Sequence, residues 1–237
     1  MAGAKDIEVV VFDVLGTMVD EPGGLRAAIR DAVPASDNAS DSASDDTSVD
    51  RLLTVWREHV EREQQRIAED GRTYANTEII DREAAQLVAD RAGLTDPAAI
   101  GRLATAGQRL KPWDDSLAGL ARLARRFPVL GLSHASRAAL LRLNAYAGLR
   151  WHQALSAEDA RAYKPAPEVY RLALDAAGCP PERVLMVAAH AWDLRGAQAV
   201  GMRTAYVQRP GGDPPQRTDT FTWRSAHLDE LVAALAG

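Results

Sequence analysis

The sequence predicts an α/β fold: a Rossmann-like parallel sheet core with helices on both faces, plus an all-helical cap inserted after the first strand. Two observations carry this. Short runs rich in valine and leucine recur ("IEVVVF", "FPVLGL", "RVLMVA" and "RTAYVQ") with helical stretches between them. None alternates with polar residues, as expected of strands buried on both faces. From about residue 20 to 111 the alternation stops and no strand pattern is found.

The elements follow in order. "IEVVVF" is the first strand and runs into Asp13, Gly16 and Thr17. In the insertion, "VDRLLTVWREHVEREQQRIAED" places Leu52, Trp56, Val60 and Ile67 at helical spacing. "TEIIDREAAQLVADRAG" and "TDPAAIGRLATAGQRL" read as further helices, the second capped by Thr95 or Asp96 with Pro97 in its first turn. This divides the chain into a core of residues 1–19 and 112–237 and a cap of 20–111. Within the cap, residues 34–50 are almost purely Ser, Asp and Ala; too apolar-poor to offset ordering entropy, they are expected to be a mobile acidic loop. Its acids lack calcium-loop spacing. In the core, "SLAGLARLARRF", "RAALLRLNAYAG" and "PEVYRLALDAAG" read as amphipathic helices, the last two closing on glycine.

Composition narrows the function. With 46% hydrophobic residues, the chain can bury a real core. A net charge of −5 with no basic block argues against a nucleic-acid partner. The single cysteine, Cys179, excludes an intrachain disulfide and fits a reducing cytoplasm. The start does not read as a signal peptide, and no apolar run is long enough to span a membrane.

In an open parallel sheet, ligands sit beyond the carboxyl ends of the strands. Asp13, Gly16 and Thr17 follow the first strand there. Ser133 and His134 follow "VLGL", and His190, Trp192 and Asp193 follow "LMVAA". Lys164 lies in "RAYKPAP", held extended by the proline after it. Taken one at a time, most have a bland reading: Ser133 as a helix cap, Lys164 as a solvated lysine, His134 or His190 as a structural histidine, Tyr170 as core. Together they place a carboxylate, a hydroxyl, an ammonium and a second carboxylate at one sheet edge.

"DVLGT", "LSHAS", "YKPAPEVY" and "VAAHAWDLRGAQAVGMRTAYV" resemble the four motifs of the haloacid dehalogenase-like superfamily, and most of all its type II, L-2-haloacid dehalogenases. Trp56-Arg57 resembles that family's cap arginine. The resemblance implies a small-molecule substrate, no cofactor, no metal and a homodimer. It also marks departures: His134 stands where the family usually has asparagine, and Ala188 and His190 where serine and asparagine are common.

Chemistry selects the branch. Phosphoryl transfer to an aspartate calls for magnesium and for an acid to protonate the leaving alkoxide. In the phosphatase pattern that acid lies two residues after the nucleophile, where this chain has Leu15. Ala188, Ala189 and His190 occupy the stretch that usually holds a metal-binding acid. A halide leaves without protonation, and a carbon electrophile needs no metal. The expectation is therefore hydrolysis of short 2-haloalkanoic acids to 2-hydroxy acids through an aspartyl ester. Asp13 is the nucleophile, Lys164 its partner, and Asp193 positions the lysine and the water. Thr17 and Ser133, with following amides, hold the substrate carboxylate or oxyanion, and His190 activates water. Leu15 and Trp192 form the apolar wall, Arg57 and His134 receive the halide, and Tyr170 matches a family tyrosine near the substrate. The alternatives are a hydrolase of another carbon electrophile, a degenerate phosphatase and a catalytically silent binding domain.

Overall fold

The computed structural model describes residues 6–33 and 42–236. They form a six-stranded parallel sheet of β1 (Val9–Asp13), β2 (Val129–Ser133), β3 (Gln153–Ser156), β4 (Val184–Ala188), β5 (Arg203–Val207) and β6 (Trp223–Ser225), in the order β3-β2-β1-β4-β5-β6. This is the doubly wound order, and its switch point lies between β1 and β4. Every residue of β1, β2 and β4 is buried, which is why these strands carry continuous apolar runs. Side-chain alternation along β1 sends Val10 and Phe12 into one core and Val9 and Val11 into the other.

Helices α1 (Glu21–Ala32), α2 (Ser42–Ala68), α3 (Thr77–Ala92) and α4 (Pro97–Ala104) all fall between β1 and β2. They bury a core of their own, with Leu25 and Ile29 against Leu52, Trp56, Val88 and Leu103. Asp96 caps α4 through the amides of Ala98 and Ala99, and Pro97 occupies its first turn. The chain enters and leaves this helical unit side by side: Val19 bridges Pro112, and Asp20 N–H donates to Lys111 O at 2.8 Å. Thr77 Oγ1 accepts from Ser136 N–H at 2.8 Å and Tyr163 donates to Ala75 O at 2.8 Å, holding the helices over the carboxyl ends of the strands.

The flanking helices of the sheet are α5 (Ser116–Leu123), α6 (Arg137–Ala147), α7 (Pro167–Ala177), α8 (Ala191–Ala199) and α9 (Leu228–Ala236). α6 and α7 end on Gly148 and Gly178 in the left-handed conformation. Among the described residues no helix is long and apolar enough to cross a membrane.

Three expectations need correction. The acidic stretch is not loop throughout: Ser42–Asp50 forms the start of α2, where Asp46 and Asp50 pair with Arg30 and Arg26 of α1, each at 2.6 Å. Neighbouring charge supplies what the segment lacks in apolar surface. Residues 34–41 of that stretch lie outside the described residues. Helix α5 stops at Leu123 rather than continuing to Phe127: residues 124–126 form turns, and Pro128 disfavours helix at Phe127 itself. Strands β3 and β6 gave no sequence signal: they are short edge strands with exposed positions, so neither carries an apolar run.

Candidate active site

The switch point places the carboxyl ends of β1 and β4 side by side, and the polar side chains converge there. Asp13 ends β1. Lys164 Nζ donates to Asp13 Oδ1 and to Asp193 Oδ2, each at 2.8 Å. Asp193 enters from the first turn of α8 and is fully buried; Lys164 is 5% and Asp13 7% exposed. Thr17 donates to Asp13 Oδ2 at 2.7 Å and accepts from Ala189 N–H at 2.9 Å, tying the β1 and β4 ends together. Tyr170 of α7 donates to Asp193, its hydroxyl 2.7 Å from Oδ1. That contact depends on Gly196 in α8, where a Cβ would sit 2.4 Å from the tyrosine oxygen.

Charge distribution follows from this geometry. Burial works against ionisation of Asp13, but the ammonium of Lys164, the nearby His190 and the hydrogen bonds from Lys164 and Thr17 outweigh it and hold its pKa below the ordinary value. Burial raises the pKa of Asp193, which Lys164 only partly offsets. Burial also opposes the charge on Lys164, but the two carboxylates prevail and its pKa is raised. The ionised state is thus an Asp13 carboxylate against a lysine ammonium.

Above Asp13 lies a cavity of about 580 Å³ between the sheet and the helical unit. Asp13, Leu15, Arg57, His134, His190 and Trp192 reach its wall. Gly16, with φ +74°, makes the turn after Asp13 and lets His190 approach: a Cβ there would lie 2.7 Å from its Nε2. His190 stacks on Trp192 with ring centroids 5.9 Å apart. His134 Nε2 accepts from Lys164 N–H at 2.9 Å, so the proton of the neutral ring is on Nδ1. Burial, with Lys164 adding to it, lowers the His134 pKa to about 3.

Several sequence expectations change here. Thr17, Ser133 and Tyr170 are not on the cavity wall. Both functions of the Thr17 hydroxyl are taken, by Asp13 and Ala189. Ser133 Oγ accepts from Ala135 N–H at 3.1 Å, while Thr77 takes Ser136 N–H, so these two amides after Ser133 are not free for a substrate. The helix cap at this point is Ser136, not Ser133. Tyr170 is fully buried against Asp193 and faces no substrate. His134 is neutral, so it cannot act as a strengthened, charged donor.

The sequence reading missed Glu21, Asp81 and the Gly211–Pro214 loop, all on the cavity wall. The loop follows β5, and reading off what comes after that strand, as for the others, finds it. Asp213 accepts from Trp192 N–H at 3.0 Å. Glu21 and Asp81 lie on α1 and α3, and nothing in their sequence spacing brings them to Asp13.

The donor set does not fit magnesium. Leu15, with no donor, stands two residues after Asp13, and the Asp193 carboxylate is engaged on both oxygens, by Lys164 and Tyr170. Among the described residues no three His, Cys, Asp or Glu side chains are placed to hold a metal ion.

A parallel sheet in this order, a strand-end aspartate on a buried lysine and a helical unit over the cavity make up the fold and site of a hydrolase. The model of the haloacid dehalogenase-like hydrolases matches residues 7–201, and the chain belongs to that family. It is 28% identical over 212 residues to an (S)-2-haloacid dehalogenase of Pseudomonas putida, covering 88% of this chain and 87% of that one. Among solved structures, it superposes on a defluorinating L-2-haloacid dehalogenase with a TM-score of 0.83 at 26% identity, over 98% and 96% of the two chains. The L-2-haloacid dehalogenase of Xanthobacter autotrophicus with chloropropionic acid covalently bound gives a TM-score of 0.76 at 26% identity, over 98% and 99%.

Proposed function

We propose that the protein hydrolyses 2-haloalkanoic acids to 2-hydroxy acids through an ester on Asp13, without a metal. The observation that carries this is the Asp13–Lys164–Asp193 arrangement with Leu15 where a proton-donating acid would be needed for an alkoxide leaving group. In the first step an Asp13 oxygen forms a bond to C2 as the carbon–halogen bond breaks, and halide leaves with the bonding pair. Lys164 keeps Asp13 ionised for this step. Arg57, on the cavity wall, receives the halide, and His134 offers a neutral Nδ1–H. Leu15 and Trp192 bound the carbon chain, and the amides of the turn after Asp13 take the substrate carboxylate.

In the second step water attacks Asp13 Cγ, and its proton passes to His190. The oxyanion forms on an Asp13 oxygen already held by Lys164 or Thr17, which gives those two groups their part in hydrolysis. Collapse breaks the bond from Asp13 Cγ to the substrate oxygen, His190 returns its proton to the departing alkoxide, and the carboxylate is restored as the 2-hydroxy acid leaves. Asp193 and Tyr170 position Lys164 from behind. The helical unit of residues 20–111 acts as the cap that supplies Arg57 and excludes water. A cytoplasmic location fits the single cysteine, and a homodimer is the assembly the resemblance implies.

Single turnover in heavy-oxygen water tests the reading. With enzyme in excess over 2-chloropropionate and EDTA present, chloride is released and the label enters Asp13 rather than the product. Chloride release that survives Asp13→Asn or depends on magnesium refutes the mechanism. Turnover of an aryl phosphate in place of the haloacid assigns the site to phosphoryl transfer.

A further inference from the structure

The cavity is larger and more acidic than a short haloacid requires. About 580 Å³ is the size of pocket that holds a drug-sized ligand, and a three-carbon acid leaves most of it unfilled. A second cavity of about 610 Å³ between α3 and α4 borders it, sharing Glu78, Ala104, Thr105 and Gln108 and carrying Arg82 on its own wall. The first cavity itself reaches from Asp13 to α1, α2 and α3 of the helical unit.

The wall of the first cavity carries the wrong sign for a second anionic group. Beyond Asp13, the wall of the first cavity presents Glu21, Glu61, Glu78, Asp81 and Asp213 against one permanent cation, Arg57. Glu78 faces Arg142 at 3.9 Å, and Asp213 accepts from Trp192 N–H. Glu21 and Asp81 have no hydrogen bond or salt bridge among the described residues. Burial raises the pKa of Asp81, and the charges of Glu21 and Glu78 add to it. Burial raises the pKa of Glu21 as well, and His190 and Arg57 offset this only in part. Two carboxyls without a hydrogen-bonding partner on the wall of a partly closed cavity are costly alone and favourable beside a further cation. The same acids repel a simple anion as it enters.

Building on the dehalogenase reading, we infer that the substrate is a 2-haloacid whose side chain extends from the reacting carbon and ends in a cationic group, received by Glu21 and Asp81. The α-carboxylate and halogen stay at the Asp13 end with Arg57, and the cationic end lies along α1 and α3.

The test compares 2-bromoalkanoates of one chain length ending in guanidinium, methyl or carboxylate, followed by bromide release. The expected order of kcat/KM is guanidinium, methyl, carboxylate, with about tenfold or more between first and last, which corresponds to one pairing of moderate strength. In Glu21→Gln/Asp81→Asn the guanidinium-to-carboxylate ratio falls to within about threefold. A carboxylate-ended substrate as good as the guanidinium-ended one, or a ratio unchanged in the double variant, overturns the proposal. Calorimetric binding of the three corresponding 2-hydroxy acids reads the same order without chemistry. That order with no bromide release keeps the cation subsite and refutes the dehalogenase reading. Bromide release without the order refutes the subsite alone.

Discussion

Replacing Lys164 by methionine keeps most of the apolar stem and deletes the charge between two buried carboxylates. Each carboxylate oxygen lies 2.8 Å from the same nitrogen, so the two are no more than about 5.6 Å apart. At an effective dielectric of about 20, unit charges at that separation repel by about 3 kcal/mol. Loss of one partner from a buried ion pair costs about 3–5 kcal/mol in general. Lys164→Met is therefore expected to lose about 3–5 kcal/mol at pH 7 by urea unfolding. In the native protein the Asp13 pKa is depressed, so its contribution is present above the ordinary value of 3.8 and is lost as pH falls through the lower folded value. In the variant, desolvation and mutual repulsion raise the carboxyl pKa values, and stability is lost as pH rises through them. The gap between variant and native protein should thus narrow from pH 7.5 to pH 5, as the pair takes up a proton. Lys164→Met/Asp193→Asn, with one carboxylate removed, should recover part of the loss and provides the comparison if the single variant does not fold. A gap below about 1 kcal/mol, or one that is constant with pH, refutes this account of the Lys164 site. Halide release should fall sharply in the single variant, because no ammonium then orients the Asp13 carboxylate for attack or holds its oxygen during ester hydrolysis.

Three further outcomes follow from the same geometry. Gly16→Ala forces a Cβ to a φ of +74° and to 2.7 Å from His190 Nε2, so it should lower stability by more than about 1 kcal/mol and cut kcat, read by thermal melts and halide release. Tyr170→Phe removes a hydrogen bond to the Asp193 carboxylate and should cost about 1.5–3 kcal/mol in urea unfolding, with KM nearly unchanged because Tyr170 does not reach the cavity. His134, held near a pKa of about 3, stays neutral when folded but is protonated in the unfolded chain below its ordinary value of 6.5. Its contribution destabilises the fold by about 1 kcal/mol between pH 6 and pH 5, and His134→Asn should remove that slope; an unchanged slope refutes the neutral tautomer.

Much of the sheet was legible because β1, β2, β4 and β5 are buried strands whose continuous apolar runs have no other efficient use. The edge strands β3 and β6 lack that constraint and left no trace. Asp13, Lys164 and Asp193 were findable because each sits in a motif near the carboxyl end of a strand, where the topology of a parallel sheet forces convergence. Thr17 and Ser133 were found by the same logic, and Tyr170 through the family resemblance, but all three were assigned to the substrate. Their hydrogen-bond partners, Ala189 N–H, Ala135 N–H and Asp193, come from other turns and helices, and no linear pattern reveals that the hydroxyls are already engaged.

The parallel α/β core, the helical insertion and Leu15, rather than an acid, two residues after Asp13 can all be read along the linear chain. Those features are local: a run of apolar residues, a helical period, one side chain at a fixed offset. Only the tertiary structure decided which charges share a cavity. Glu21, Arg57 and Asp81 lie on three different helices, and Lys164 reaches Asp13 across 151 positions of the chain. Coulomb energy depends on distance in space rather than along the chain. The acid that the sequence lacks at position 15 is thus a statement about the leaving group, while the acids that the fold gathers farther up the cavity bear on what else the substrate carries.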